Sequence, residues 1–195
     1  MSMAAVTKKK KVIIDTDPGI DDAMAIFMAL RSPELEVVVL TTIFGNIYTA
    51  LATHNVRHLL ETAGRTDIPV AEGSHVTIKV PSIHYIIKPP SYGLPASSTV
   101  RMASATRTSI AGRQGGGAVC RCLPCREGEP LPGQVTVVSL GPLTNLALAV
   151  ELDPSFPKKI GQIIILGGAY SVNGNVNLVA EANVVASQDW PEVTK

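Results

Sequence analysis

A chain of 195 residues with 46% hydrophobic and 17% charged residues has the composition of one globular domain, not of a disordered or fibrous segment. Its 17 Lys and Arg against 16 Asp and Glu leave a net charge of +1, so there is no broad basic field for nucleic acid, and no apolar run approaches the ~20 residues of a membrane span. A domain of this length buries roughly 70% of the surface its unfolded chain exposes, so any metal site serves function rather than cohesion.

In chain order, the basic run Lys8 to Lys11 has no apolar stretch behind it before Asp15 and reads as a solvated tail, not a secretory signal. Residues 11–15 form an apolar run ended by Pro18-Gly19, which predicts a buried strand feeding a helix from Ile20 to about Arg31. That helix is apolar nearly all round and is expected to be buried. Residues 35–44 predict a second core strand, stopped by Gly45-Asn46 before a helix carrying Ala52, Val56, Leu59, Leu60 and Ala63 at helical spacing. Residues 68–71, 135–140 and 162–166 predict three more strands. A helix over 144–152 follows the fourth, with Thr144 and Asn145 read as its caps. Alternating strands and helices, with strands apolar on both faces, predict an α/β fold with a mainly parallel open sheet, helices on both faces and ligands at the C-terminal strand ends.

Asp15, Asp17, Asp21 and Asp22 place four carboxylates within eight residues at the end of the first strand. Like charges so close raise one another's pKa unless a cation intervenes, and hard oxygen ligands suit Ca²⁺ or Mg²⁺. The plainer alternative is that Asp21 and Asp22 complement the following helix N-terminus while Asp15 and Asp17 decorate a turn. His54, His58, His75 and His84 show no metal-ligand spacing and read as surface or packing residues.

The segment Asp15-Thr-Asp-Pro-Gly-Ile-Asp-Asp22 resembles the N-terminal fingerprint of the inosine-uridine preferring nucleoside hydrolases, most nearly the plant uridine/purine nucleosidases. Five further segments agree in order: Thr41-Thr-Ile-Phe-Gly-Asn46, Ile68-Pro-Val-Ala-Glu-Gly73, Leu140-Gly-Pro-Leu-Thr-Asn145, Ile165-Leu-Gly-Gly-Ala169, and Gly174-Asn-Val-Asn with Ala180-Glu-Ala-Asn183. The resemblance implies a Rossmann-like, nucleoside hydrolase-like sheet and a Ca²⁺ held by Asp17, Asp22 and the main-chain carbonyl at Leu140. It implies that Asp17 accepts a proton from water, that Asp21 and Asn46 serve the ribose, and that Asn175, Glu181 and Asn183 grip the sugar hydroxyls. The implied activity is Ca²⁺-dependent hydrolysis of the N-glycosidic bond of uridine, inosine and related ribonucleosides, in a cytosolic homo-oligomer with no nucleic-acid or membrane partner.

Residues 1–195 are thus read as a single partial domain, family-like over 12–91 and 134–184. Residues 92–133 are anomalous: they keep no period, hold Cys120, Cys122 and Cys125, and are expected to be disordered. Where the family has FVHGxDGLGNxNF, this chain has Ser97-Ser-Thr-Val-Arg-Met-Ala-Ser-Ala-Thr-Arg-Thr-Ser109. Re-reading each codon one base earlier permits the family motif at every step, which points to residues 92–132 as an out-of-frame product. Three cysteines without a fourth ligand are then accidents of that frame rather than a zinc site. After Asn183 the family continues with residues for the leaving base and an additional carboxylate ligand, which 184–195 do not supply, so this exact chain is expected to hydrolyse nucleosides poorly or not at all. The alternatives are a Mg²⁺-dependent aspartate phosphohydrolase, which also sets a DxD after its first strand, and a non-catalytic product.

Overall fold

The computed structural model describes residues 8–76, 133–168, 172–173 and 183. They form β1 (Lys10–Thr16), α1 (Ile20–Arg31), β2 (Leu35–Thr42), α2 (Thr49–Thr62), β3 (Val70–Glu72), β4 (Val135–Ser139), α3 (Thr144–Leu152), α4 (Phe156–Lys159) and β5 (Gln162–Ile165). The five strands make one sheet of order β3-β2-β1-β4-β5, and every pairing in it is parallel. Both statements agree with the predicted class. The order reverses at β1, whose neighbours β2 and β4 lead away in opposite directions, and a crevice opens at the C-terminal strand ends of such a switch point.

Alternation along β1 divides the core. Val12 and Ile14 pack with Ile26 of α1 and Val56, Leu59 and Leu60 of α2, while Ile13 packs on the other face with Leu146 and Ala149 of α3 and Phe156 of α4. Successive strand side chains point to opposite faces, so one apolar strand serves both layers. Local chemistry ends α2 sharply: Gly64 takes φ +66°, its N–H donates to Glu61 O and that of Arg65 to Leu60 O, the Schellman closure that glycine permits.

Three expectations change. Helix α1 is not buried all round: Ile26 is fully buried, but Met24 and Met28 are 58% and 71% exposed, because only one stripe of an isolated α-helix reaches the sheet. Met28 instead borders an apolar groove of about 530 Å³ that also touches Val138, Leu140 and Ile164. The basic run is not all tail, since Lys10 and Lys11 open β1. Short helix α4 went unpredicted, its four residues being too few to show a period. Ile26→Ala is expected to cost about 2–5 kcal/mol and Met24→Gln less than about 0.5 kcal/mol, measured by urea denaturation; equal effects would contradict the one-sided packing. The anomalous segment, apart from Gly133, lies outside the described residues, as does His84.

Candidate functional site

Strand β1 delivers Asp15 and Thr16 to the sheet's C-terminal end, and the turn through Pro18-Gly19 carries Asp17 over that end and starts α1. Asp17 is 3% exposed. Its Oδ2 accepts the Asn46 N–H at 2.6 Å, and the Asn46 side-chain amide donates back to the Asp17 carbonyl at 3.3 Å. Two glycines wall the carboxyl. A Cβ on Gly45 would lie 1.9 Å from Asp17 Oδ2, and one on Gly141 would lie 2.7 Å from Oδ1. Gly45 follows β2 and Gly141 follows β4, so the two strands flanking β1 close on Asp17 from either side.

Asp22 stands at the third position of α1, where its Oδ2 accepts the Gly19 N–H at 3.2 Å and its Oδ1 accepts the Thr16 hydroxyl at 2.6 Å. The helix-capping reading therefore holds for Asp22, which is nevertheless buried and near enough to Asp17 to repel it. Burial pushes the Asp17 carboxyl up to about 8, and the charge of Asp22 adds to the rise. Burial likewise raises Asp22, against the pull of the Thr16 hydrogen bond. Asp21 is exposed, and a Cβ on Gly19 would meet Asp21 Oδ1 at 2.9 Å and Asn46 Nδ2 at 3.0 Å, so Asp21 and Asn46 share the mouth of the site.

Asp15 does not decorate a turn. It points inward, its Oδ1 accepting Thr41 Oγ1 at 2.5 Å and Asn145 Nδ2 at 2.7 Å, while its buried Oδ2 has no partner among the described residues. Burial lifts its carboxyl to about 6, opposed by those two hydrogen bonds. The expected caps of α3 are also corrected. Leu143 holds the cap position, and Asn145 turns its carboxamide into the strand ends, where its Nδ2 donates to the Asp15 carboxyl in a charge-assisted bond and its Oδ1 accepts the Ser74 N–H instead of a helix N–H.

The Asn183 side-chain amide donates to the carbonyls of Leu140 and Leu166, which brings this residue to the ends of β4 and β5 beside Gly141. Asn175 and Glu181 lie outside the described residues. His54, His58 and His75 are exposed, as expected, His58 beside Glu61 at 3.5 Å and His75 beside Glu72 at 3.0 Å. Sequence reasoning overlooked Gly45, Gly141 and Asn145 as parts of the site. The signal for the glycines lay in their positions just past two predicted strand ends; for Asn145 only the fold supplied one.

Among the described residues, no three acidic, histidine or cysteine side chains converge closely enough to hold a metal ion by themselves. The donor chemistry nonetheless suits a hard cation. Asp17 and Asp22 are buried carboxylates that repel each other, and the Leu140 carbonyl precedes the glycine packed on Asp17, a set of oxygen donors of the kind that hard divalent cations take.

Residues 12–187 match the family model for inosine-uridine preferring nucleoside hydrolases. The chain is 48% identical over 204 residues to a probable uridine nucleosidase 2 of Arabidopsis thaliana, covering 97% of this chain and 56% of that protein. It is 34% identical over 177 residues to an inosine-uridine preferring nucleoside hydrolase of Leishmania major, covering 90% and 53%. Among solved structures, a plant nucleoside hydrolase, the PpNRh1 enzyme, superposes with a TM-score of 0.73 at 50% identity over 90% of this chain and 53% of its own. The chain thus spans about half the length of the relatives it matches.

Proposed function

This chain belongs to the inosine-uridine preferring nucleoside hydrolase family, and on that premise we propose that its Asp17 site serves Ca²⁺-dependent hydrolysis of the N-glycosidic bond of ribonucleosides such as uridine and inosine, giving ribose and free base. One observation carries the reading: a buried carboxyl clamped between Gly45 and Gly141, with a second buried carboxylate beside it, at the sheet's switch point. The names of the uridine nucleosidase and the inosine-uridine hydrolase among its relatives support the substrate class. A homo-oligomer in the cytosol completes the proposal.

Asp17, Asp22 and the Leu140 carbonyl would hold Ca²⁺, which when bound stabilises negative charge and lowers the pKa of water. Asp17 takes the proton of the attacking water. Its carboxyl must be ionised to do so, and its raised pKa is the state that nearby positive charge reverses. As the C–N bond breaks, its electron pair leaves with the base, which takes up a proton to become the neutral free base, while the sugar acquires oxocarbenium character and the water oxygen bonds to C1′ to give ribose. Asp21 and Asn46, at the mouth, orient a ribose hydroxyl, and Asn175, Glu181 and Asn183 hold the remaining ones. The hydrogen bonds from the Asn183 amide to the Leu140 and Leu166 carbonyls support a place for it at this strand end.

Purified chain with Ca²⁺ and either uridine or inosine is expected to release uracil or hypoxanthine only slowly, read by chromatography, with Asp17→Asn lowering that rate about 10²- to 10⁴-fold; robust release would overturn the expected weak activity of this chain. Calorimetry with Ca²⁺ and ribose gives the binding arm, and heat without base release would confine this chain to binding. Cleavage of a chromogenic phosphate ester with Mg²⁺, and no nucleoside hydrolysis, would overturn the reading in favour of a phosphohydrolase.

A further inference from the structure

Asn145 is 1% exposed and makes three hydrogen bonds with one carboxamide. Its Nδ2 donates to Asp15 Oδ1 at 2.7 Å and to the Thr42 carbonyl at 3.1 Å, and its Oδ1 accepts the Ser74 N–H at 2.9 Å. Those partners sit at the end of β1, the end of β2 and the turn after β3, while Asn145 itself belongs to the first turn of α3. One amide therefore ties four segments together. Two of them carry the walls of the Asp17 pocket: Gly45 lies three residues beyond Thr42, and Gly141 lies four residues before Asn145.

The neighbouring glycine is shaped by the same group. A Cβ on Gly73 would stand 2.4 Å from Asn145 Nδ2 and 2.5 Å from its Oδ1, so the carboxamide occupies the volume that any other residue would claim. The same Asp15 oxygen also accepts the Thr41 hydroxyl, so two donors from different segments fix the carboxyl that precedes Thr16 and Asp17. A buried amide with its hydrogen bonds satisfied in a fixed pattern is rigid, and rigid surroundings hold site geometry. A shorter side chain cannot reach all three partners, and an aspartate would face the Asp15 carboxyl and the Thr42 carbonyl with oxygen instead of N–H.

We propose that Asn145 is a positioning residue: through Asp15, Thr42 and Ser74 it sets the separation of the strand ends and so aims the Asp17 carboxyl between Gly45 and Gly141. The role rests on the reading of Asp17 and Asp22 as cation ligands only for its functional consequence; the geometry has its own readout in the Asn46 amide, which donates to Asp17.

The test compares the wild-type chain with Asn145→Ala, Asn145→Ser and Leu146→Ala, the last deleting buried packing in the same helix without touching the amide network. Urea denaturation records stability, calorimetry records Ca²⁺ affinity, and the ¹H–¹⁵N resonance of Asn46 reports its bond to Asp17. Both Asn145 variants are expected to bind Ca²⁺ about 10- to 100-fold more weakly and to move the Asn46 resonance, whereas Leu146→Ala loses stability with both readouts unchanged. Asn145→Ser keeps one donor and covers the case in which the alanine variant does not fold. Folded Asn145 variants with wild-type affinity and an unmoved Asn46 resonance would overturn the role, as would Leu146→Ala matching their losses. Absence of Ca²⁺ binding by the wild type would remove the cation reading instead, and the Asn46 resonance alone would then decide the positioning role.

Discussion

Gly45→Ala is expected to abolish Ca²⁺ binding while leaving most of the sheet intact. The added methyl would stand 1.9 Å from Asp17 Oδ2 and 2.7 Å from Cγ, far inside contact distance. Asp17 cannot retreat, because Gly141 closes the opposite side with its own ideal Cβ position 2.7 Å from Oδ1. Either the turn after β2 shifts or the carboxyl leaves its pocket and loses the Asn46 N–H bond of 2.6 Å. Overpacking of this kind costs about 1–3 kcal/mol, but the functional loss should exceed the loss of stability because the displaced group is the proposed ligand and base. Gly64→Ala is the control: its φ of +66° disfavours alanine, yet nothing lies within 4 Å of the new methyl. It should lose about 1 kcal/mol and keep the calorimetric Ca²⁺ signal. Wild-type Ca²⁺ affinity in Gly45→Ala would contradict the clamp.

Without a divalent cation, the chain should become less stable as pH rises from about 4 to about 8. Asp15 and Asp17 have folded-state pKa values raised to about 6 and about 8 from 3.8, so over this interval the folded chain binds more protons than the unfolded one. Stability from these two groups is complete below the unfolded value and is lost as pH climbs through about 6 for Asp15 and about 8 for Asp17. Each contributes a slope of up to about 1.4 kcal/mol per pH unit between its unfolded and its folded value. A bound cation stabilises the ionised carboxylates, so the protection given by Ca²⁺ should grow with pH and be small near pH 4. Urea midpoints across this range with Ca²⁺ or with chelator check both halves. A chelated protein that gains stability toward pH 8, or equal protection at both ends, would contradict the electrostatic account.

Much of this protein is legible along the chain. The apolar runs at β1, β2 and β4 carry Val, Ile and Leu on both faces, which is what a parallel sheet covered by helices on both sides requires. The Asp17 and Asp22 pair is legible because four acids at one strand end are too costly to be idle decoration. Periodicity failed where burial is one-sided. Met24 and Met28 look like core residues in α1, and only the tertiary structure shows that both are exposed, Met28 at the rim of an apolar groove instead of inside the core. Asn145 failed differently. At the start of a helix the ordinary role of Asn is local, and its true partners Asp15, Thr42 and Ser74 lie between 71 and 130 residues away in sequence.

Sequence by itself determined the α/β class, the approximate element order, the acidic turn after β1 and the resemblance to a hydrolase family, because each is written in contiguous residues with a local physical meaning. Tertiary structure decided which of the four aspartates do what. Asp21 stays at the surface, Asp22 caps α1 while buried, Asp17 is clamped between two glycines, and Asp15 turns away into a hydroxyl and an amide. The reason is that desolvation and hydrogen-bond partners set the charge state and direction of a carboxyl, and here those partners come from strands that become neighbours of β1 only when the sheet forms.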